Sequence, residues 1–300
     1  MARPWWIDRV AALLVPGELG GHSLGALWHL REQLHFVRDN VEPSLLAVDV
    51  ETTPDARATW GRFEQREAEV ALALARAGDG CADGLRTGAV GPSSFRAHWQ
   101  GLGFARHAEG AGTPADDYLD ALFDLSRRAA FATPMPFALL NLATRAARIS
   151  DFLSVLEPGR DDVVFDLGSG SGKLALTVAA STVTAVRGVE IDVSYAEQAR
   201  RSAAWLGLRN VSFESADVRD VALSGGSIFY LYYPFHGRVA REVAQKLGAL
   251  AREKDITIYA AGPLLEYGEF FLAEVEGGAL SLTGRRGEFG EVLHLVSRRG

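Results

Sequence analysis

The chain has 300 residues, and 48% of them are hydrophobic, which is enough apolar material for a large domain with a sizeable extension. Its formal net charge is −7, and binding of a polyanion depends on clustered Lys and Arg that this composition does not provide. We therefore expect no nucleic-acid partner. The single cysteine, Cys81, excludes an internal disulfide and a thiolate metal cage and fits a cytoplasmic protein. No stretch reaches the ~18 uninterrupted apolar residues of a membrane span, so we expect no membrane association.

Residues 1–130 have a helical, Trp-rich pattern. Apolar residues at helical spacing predict helices at about 23–40, 56–77 and 116–130. Two stretches rich in Gly, Pro and Asp, 76–94 and 108–117, are typical of loops.

Residues 21–25, GHSLG, match the G-x-S-x-G pattern of the nucleophile elbow in serine hydrolases and acyltransferases. That elbow requires a buried strand that runs directly into the first glycine, whereas the preceding residues, PGELG, indicate a turn. We therefore predict that Ser23 caps a helix that starts near Leu24 and does not act as a nucleophile.

From about residue 134 onward, helix and strand patterns alternate. A helix is predicted at 136–156, and Pro and Gly in EPGRDD (157–162) end it. The elements that follow are strand 163–167, helix 172–181, strand 185–191, helix 194–206, strands 211–215 and 227–233, helix 238–252 and strand 256–261. The strands are nearly continuously apolar, as in a sheet covered on both faces. This order predicts an α/β fold with a doubly wound, mostly parallel sheet, and the tail predicts a C-terminal antiparallel hairpin.

A glycine-rich stretch, FDLGSGSGK (165–173), lies between the first strand and the next helix, where backbone N–H groups are free to bind a ligand. A phosphate-binding P-loop would need Gly where Leu167 stands and Ser or Thr where Leu174 stands. A dinucleotide fingerprint would need its third Gly one position later, where the chain has Lys173. The stretch is therefore not a P-loop that binds nucleotide phosphate, and a nicotinamide cofactor is disfavoured.

What remains is the spacing acidic-x-G-x-G-x-G, from Asp166 to Gly172. In this motif the chain resembles the class I S-adenosylmethionine-dependent methyltransferases. Upstream, FATPMPFALLNLATRAA (131–147) resembles the Thr-Pro segment of one branch, the non-SET histone lysine methyltransferases and small lysine methyltransferases. The resemblance covers about 131–300 and implies a seven-stranded sheet with S-adenosyl-L-methionine as the cofactor. It leaves residues 1–130 as a separate helical region.

The resemblance also implies roles for individual residues. Glu190 ends the second strand, where a carboxylate accepts hydrogen bonds from the ribose hydroxyls. Asp217 follows the third strand and corresponds to the residue that accepts the adenine amino group, and Thr133 belongs to the upstream segment. The other predicted cofactor contacts are Asp166, Gly168, Ser169, Gly170, Gly172, Ile191, Val218 and Tyr232.

The fourth strand ends in SIFYLYYPFHG (227–237), at the position from which the family presents the methyl acceptor. Amine methyltransferases carry Asn or Asp before the proline, whereas this chain has Tyr233-Pro234-Phe235, so a phenol replaces the amide or carboxylate. We predict Tyr233 and His236 as catalytic residues, the first bonding the acceptor and the second taking its proton. The alternative is that Tyr233 packs a sheet face and His236 caps the next helix.

These observations predict transfer of a methyl group to nitrogen or oxygen of a small molecule or peptide. A protein lysine N-methyltransferase remains open because of the Thr-Pro segment, and a catalytically silent cofactor-binding module remains open because of Tyr233. Residues 1–130 are predicted to form part of the acceptor pocket, a lid or a homodimer interface. The histidines form no HExxH motif or close acidic cluster, so no metal site is predicted.

Overall fold

The computed structural model describes residues 5–14, 19–40, 54–105, 112–125, 144–261, 267–286 and 292–297. The chain divides into two compact units. The first comprises residues 1–83 and 103–122, and the second comprises 84–102 and 123–300. A segment of about 20 residues from the predicted N-terminal region therefore packs with the second unit, which contains the sheet.

The helices that precede the sheet are α1 (Trp5–Leu13), α2 (Leu24–Asn40), α3 (Pro54–Arg86), α4 (Pro92–Gly101), α5 (Pro114–Leu122) and α6 (Ala146–Leu156), with a 3-10 turn at Leu19–Gly21. The predicted loop at 76–94 is wrong in its first half, because α3 continues to Arg86. Each interior glycine weakens a helix by only about 1 kcal/mol, so Gly78, Gly80 and Gly84 do not end a helix of this length. Helix α5 starts earlier than predicted because Thr113 caps it, accepting a bond of 3.1 Å from the Asp116 N–H.

Ser23 is the cap of helix α2, as predicted. Its hydroxyl oxygen accepts a hydrogen bond of 3.2 Å from the Ala26 N–H, and its carbonyl accepts one of 3.0 Å from the Leu27 N–H. Residues 5–14 and 19–22, the described residues upstream of this turn, contain no strand, so they do not form a nucleophile elbow.

The second unit contains a seven-stranded sheet. In chain order its elements are β1 (Val163–Leu167), α7 (Lys173–Ser181), β2 (Ala185–Glu190), α8 (Val193–Trp205), β3 (Val211–Ser215), β4 (Ile228–Tyr232), α9 (Gly237–Glu253), β5 (Thr257–Ala261), α10 (Tyr267–Glu276), β6 (Leu280–Arg286) and β7 (Val292–Ser297). The spatial order is β3-β2-β1-β4-β5-β7-β6, and β7 runs antiparallel to both of its neighbours. The predicted fold class is confirmed, although α10 was missed in a tail that had suggested strands alone.

Alternate residues of the central strands pack the two faces of the sheet. On one face, Phe165 and Phe229 belong to a buried cluster that includes Val243 of α9. On the other, Tyr230 stacks on Tyr259 with ring centroids 5.6 Å apart, beneath Phe152 of α6. Because the parallel strands are covered on both faces, their free carboxyl ends are the edge at which a ligand site can form. The order of the strands reverses between β1 and β4, and the predicted site residues in the sheet unit lie at or just after the carboxyl ends of β1, β2, β3 and β4.

In the part of the chain that the structure describes, no helix combines the length and the apolar character that a membrane crossing needs.

Candidate active site

The glycine loop leaves β1 through three residues with left-handed backbone. The φ angles are 80° at Gly168, 54° at Gly170 and 86° at Gly172, a region that glycine occupies without steric penalty. The N–H groups of Gly168 and Ser169 both donate to the carbonyl oxygen of Val189 on β2, over 2.8 and 3.0 Å. The loop is therefore fixed to the neighbouring strand by its own backbone.

Glycine at position 168 also permits contact between the loops after β1 and β4. A Cβ added there would lie 2.1 Å from the Cβ of Pro234, closer than two carbon atoms can approach. Gly172 is enclosed in the same way, because a Cβ there would lie 2.8 Å from Ala199 and 2.9 Å from Phe213. The predicted cofactor loop and the predicted acceptor loop are thus in direct contact.

Glu190 ends β2 beside the glycine loop. One carboxylate oxygen accepts a bond of 2.8 Å from the Gly170 N–H, and the other accepts one of 2.9 Å from the Asp192 N–H. Burial raises the pKa of Glu190, and these N–H groups oppose the increase. A carboxylate has about four acceptor positions, so a half-buried Glu190 can still accept bonds from two hydroxyl groups.

Asp166 is the buried member of the motif. Its side chain is 4% exposed, and burial raises its pKa to about 7. A backbone bond from Ala175 lowers the pKa, and the charge of Glu190 raises it further. Two carboxylates therefore lie close enough to interact, one buried in the sheet and one half-buried at its edge.

Ser169 carries a buried hydroxyl that has no hydrogen-bond partner among the described residues. A Cβ at Gly188 would lie 2.4 Å from the Phe213 ring and 2.9 Å from that oxygen, so glycine on β2 leaves space for both. Buried polar atoms are nearly always hydrogen-bonded, and an exception calls for an explanation such as a missing ligand. The unsatisfied oxygen, the bare backbone and the Glu190 carboxylate together fit a ligand that offers hydroxyl and amino donors, as S-adenosyl-L-methionine does.

The residues predicted around the adenine lie at the ends of β2 and β3. Ile191 follows Glu190 and is 42% exposed, whereas Val218 is 6% exposed and belongs to the core. Asp217 comes two residues after β3 and forms an ion pair with Arg219, whose Nη2 lies 2.6 Å from Asp217 Oδ2. Asp217 is therefore held by a partner that the sequence analysis did not consider.

Two of the remaining predicted positions, Tyr232 and Tyr233, lie at the end of β4. Tyr232 is half-buried, and Tyr233 packs partly against the sheet core with a φ of 45°. His236 is the N-cap residue of α9, but its side chain makes no capping hydrogen bond. Thr133, predicted as a cofactor contact, lies outside the described residues.

Sequence reasoning missed several residues that shape this site. Pro234 was noted only as part of a motif, although its ring rests on Gly168. The sequence did not indicate the role of Gly188, because a single glycine inside a strand does not show which neighbouring side chain packs against it. Lys246 left a weaker trace in the spacing of charges along α9, at 238, 242 and 246, which puts these three residues on one helix face, whereas Arg219 lies in the turn after β3 and left none.

Comparison with known proteins gives this geometry a family context. Residues 164–252 match the model of a family described as methyltransferase domain. A curated relative from Stenotrophomonas maltophilia, 23S rRNA (uracil(1939)-C(5))-methyltransferase RlmD, is 39% identical over 85 residues, which are 28% of this chain and 19% of the relative. Its namesake from Pseudomonas fluorescens is 32% identical over 159 residues, 49% of this chain and 33% of the relative. The chain thus spans between a fifth and a third of the length of these relatives.

One solved structure is an RNA methyltransferase from Salinibacter ruber in complex with S-adenosyl-L-homocysteine. It overlaps 53% of this chain and 95% of its own, with a TM-score of 0.42 and 20% sequence identity.

The expectation that excluded a nucleic-acid partner is wrong, because the curated relatives are named as methyltransferases of 23S rRNA. The physical reason is that the net charge of the whole chain is a sum over two units that carry different charges, so it describes neither unit. The first unit carries 9 Lys and Arg against 17 Asp and Glu, a net −8, whereas the second carries 22 against 21, a net +1. The acidic character of the chain therefore belongs to the first unit and says nothing about ligands of the second.

The narrower resemblance to lysine methyltransferases finds no support among these relatives, which are named for RNA. The broader prediction, including S-adenosyl-L-methionine as cofactor, is confirmed by the match to the methyltransferase domain and by the strand order. Residues 164–252, within the second unit, therefore match a methyltransferase domain that uses S-adenosyl-L-methionine as its cofactor.

Proposed function

We propose that this chain transfers the methyl group of S-adenosyl-L-methionine to a nitrogen or oxygen atom of a planar, aromatic acceptor. The observation that carries the proposal is the contact of Pro234 with Gly168, since it sets the end of β4 directly against the cofactor loop. The sulfonium of S-adenosyl-L-methionine supplies an activated methyl group, and the acceptor lone pair displaces the neutral thioether. The protein then has to position the acceptor and remove its proton.

The residues that hold the cofactor in this proposal lie on three strand ends. Glu190 accepts the ribose hydroxyls with the acceptor positions that Gly170 and Asp192 leave open. In this proposal the backbone of the glycine loop and the hydroxyl of Ser169 also contact the cofactor. Asp217 accepts the adenine amino group, between the half-exposed Ile191 and the apolar Val218.

The residues that receive the acceptor follow β4. Tyr232 and Tyr233 are half-buried aromatic side chains at this end of the strand, and aromatic faces stack on planar rings. The Tyr233 hydroxyl can hydrogen-bond the acceptor, and the imidazole of His236 can take a proton from it. The left-handed backbone of Tyr233 supports a functional role, because strained non-glycine residues concentrate at active sites.

Nitrogen or oxygen is favoured over carbon because a carbon acceptor lacks a lone pair and needs covalent or strong base activation. The single cysteine, Cys81, lies on α3 in the first unit. Burial raises its pKa and a hydrogen bond with Tyr118 partly offsets the increase, which is the reverse of an activated thiolate.

RNA is a second candidate for the source of the acceptor ring, favoured by the relatives named for 23S rRNA. A base in a single-stranded loop can stack on aromatic side chains as a free heteroaromatic compound does. The nearly neutral second unit does not oppose such a partner in the way that the charge of the whole chain suggested.

The test has two stages. Calorimetric titration of the purified chain with S-adenosyl-L-methionine and S-adenosyl-L-homocysteine should give dissociation constants in the micromolar range. Incubation with the methyl-labelled cofactor and a cell lysate, followed by separation into RNA, protein and small-molecule fractions, should then label RNA or small molecules. Label confined to lysine side chains of proteins would overturn the aromatic acceptor, and absence of cofactor binding would overturn the whole proposal.

A further inference from the structure

The turn after β3, residues 216–221, is held from outside by a row of charged side chains on α9. Arg238, Glu242 and Lys246 are spaced four residues apart, so they lie along one face of the helix. Glu242 and Lys246 both reach the turn, whereas Arg238 reaches only Glu242, through an Nε to Oε1 bond of 2.6 Å. The turn therefore depends on a second element of the sheet unit for its position.

The guanidinium group of Arg219 binds the carboxylate of Asp217 through two nitrogens. Its Nη2 donates to Oδ2 over 2.6 Å, and its Nε lies 3.0 Å from Oδ1 and 3.1 Å from Oδ2. The backbone N–H of Arg219 donates to Oδ1 over 2.9 Å. Of the about four acceptor positions of a carboxylate, three are thus occupied. The remaining capacity lies on Oδ2, which accepts from Nη2 and shares Nε with Oδ1.

The far side of Arg219 is tied to α9. Its Nη1 lies 3.3 Å from Oε2 of Glu242. The bond from Arg219 lowers the pKa of Asp217, and the bond from Arg238 lowers the pKa of Glu242, so both carboxylates stay ionised near neutral pH. All members of this row are at least partly exposed, and exposed ion pairs add little to stability. The main effect of the row is therefore on where the Asp217 carboxylate points.

Lys246 fixes the backbone of the same turn. Its ammonium group donates to the carbonyl oxygens of Arg219 and Val221 over 2.7 and 2.6 Å and lies 3.4 Å from that of Val218. The turn also bonds to the end of β2, since the Ala216 N–H donates to the Glu190 carbonyl over 3.0 Å. Asp217 is thereby fixed relative to Glu190, the residue assigned to the ribose.

From this geometry we infer that Arg219, supported by Glu242 and Lys246 of α9, is a positioning residue that makes Asp217 a directional acceptor selective for the adenine amino group. The inference rests on the proposed function, because it assigns Asp217 to that ring. An amino group donates to the one open position on Oδ2. A ring with an oxygen in place of the amino group presents a second acceptor to the ionised carboxylate, and the two acceptors repel each other.

The test compares two probes on the full chain by calorimetry: S-adenosylhomocysteine, and S-inosylhomocysteine, in which oxygen replaces the 6-amino group. The wild type should bind the first at least about 30-fold more tightly. Arg219→Gln should reduce that ratio by about tenfold, mainly by weakening the first probe. Lys246→Met should reduce the ratio by a smaller factor. Arg238→Gln is the matched control, because the Arg238 side chain is 82% exposed and, among the described residues, bonds Glu242 and not the turn. The ratio of this variant should stay within about twofold of wild type.

Three results would overturn the inference. An unchanged or higher ratio in Arg219→Gln would show that Arg219 competes with the adenine for Asp217 or has no part in its selection. A parallel loss of both probes, with the ratio preserved, would show a merely structural role. A wild type that binds S-adenosylhomocysteine but does not distinguish the two probes would remove Asp217 from the adenine site while leaving the methyltransferase proposal intact. A wild type that binds neither probe would remove that proposal and this inference together.

Discussion

The loops after β1 and β4 touch each other, yet they reach left-handed backbone in opposite ways. The first does so at Gly168, Gly170 and Gly172, where no side chain resists it. The second does so at Tyr233, with a φ of 45°, which costs on the order of 1–3 kcal/mol for a bulky residue. The cofactor end of the site is therefore formed by residues without side chains. The acceptor end keeps the Tyr233 side chain although its left-handed backbone disfavours one, which is what a functional side chain would require.

The largest effect should come from the contact that joins the two loops. Gly168→Ala puts a methyl group 2.1 Å from Pro234 and strains a backbone with a φ of 80°. We expect the affinity for S-adenosyl-L-homocysteine to fall at least about 100-fold and the free energy of unfolding to fall by about 2–4 kcal/mol. Calorimetry and urea unfolding measure these two quantities. Gly225→Ala is the control, since nothing lies within 4 Å of a Cβ there; equal behaviour of the two variants would show that the loops are not in contact.

The next effect concerns the buried acid beneath the cofactor end. Burial raises the pKa of Asp166 in the folded state to about 7, from an ordinary value of 3.8. Between these values the folded state binds a proton that the unfolded state lacks, so the stability contribution is lost as the pH rises from about 4 to about 7. Asp166→Asn removes this dependence.

The stability difference between Asp166→Asn and wild type should therefore shift in favour of the variant by on the order of a few kcal/mol between pH 4 and pH 8. Urea unfolding at several pH values tests this, and carboxylates that do not interact with Asp166 cancel because both proteins contain them. A difference that stays constant with pH would mean that Asp166 is ionised throughout.

At the same end of the site, Glu190→Ala removes the acceptor assigned to the ribose and frees the N–H groups of Gly170 and Asp192. The dissociation constant for S-adenosyl-L-homocysteine should rise about 10- to 100-fold in calorimetry. Glu197→Ala changes the same residue type at an exposed position of α8 and should leave the constant unchanged. If both variants bind alike, the ribose is held elsewhere.

The smallest effect should separate the acceptor end from the cofactor end. Tyr233→Phe keeps the ring that packs against the sheet core and removes only the hydroxyl, and His236→Ala removes the proposed base. Each should slow turnover about tenfold in the fraction that accepts label, with the dissociation constant of S-adenosyl-L-homocysteine within about twofold of wild type. Unchanged rates would leave Tyr233 as a packing residue and His236 as the first residue of a helix.

The cofactor end was readable in the sequence because its parts are local. Glycines at alternate positions after an apolar strand predicted the loop, and Glu190 followed from the next strand end. Helix limits were less certain. Helix α3 runs through three glycines to Arg86, because packing and neighbouring turns outweigh a weak local preference. The segment before β6 forms α10, where apolar residues alone had suggested a strand.

The charge of the chain shows the limit of composition most clearly. A net charge of −7 argued against nucleic acid, but it divides into −8 for the first unit and +1 for the second. Electrostatic attraction acts over about 10 Å at moderate salt, so binding of nucleic acid depends on the charge near the site and not on the total charge of the chain. Which residues belong to each unit is set by contacts, and 84–102 joins the sheet unit although it lies within the N-terminal region of the sequence.

The sequence by itself determined the order of strands and helices, the glycine loop and the acid at the end of β2, because each depends on a few neighbouring residues. Only the tertiary structure decided that Pro234 lies on Gly168, that Ser169 faces the space left by Gly188, and that Arg219 holds Asp217 with help from α9. These contacts join residues between 2 and 66 positions apart. Pairings across the sheet are fixed by how strands and loops pack in space, and no local pattern of residue types encodes them.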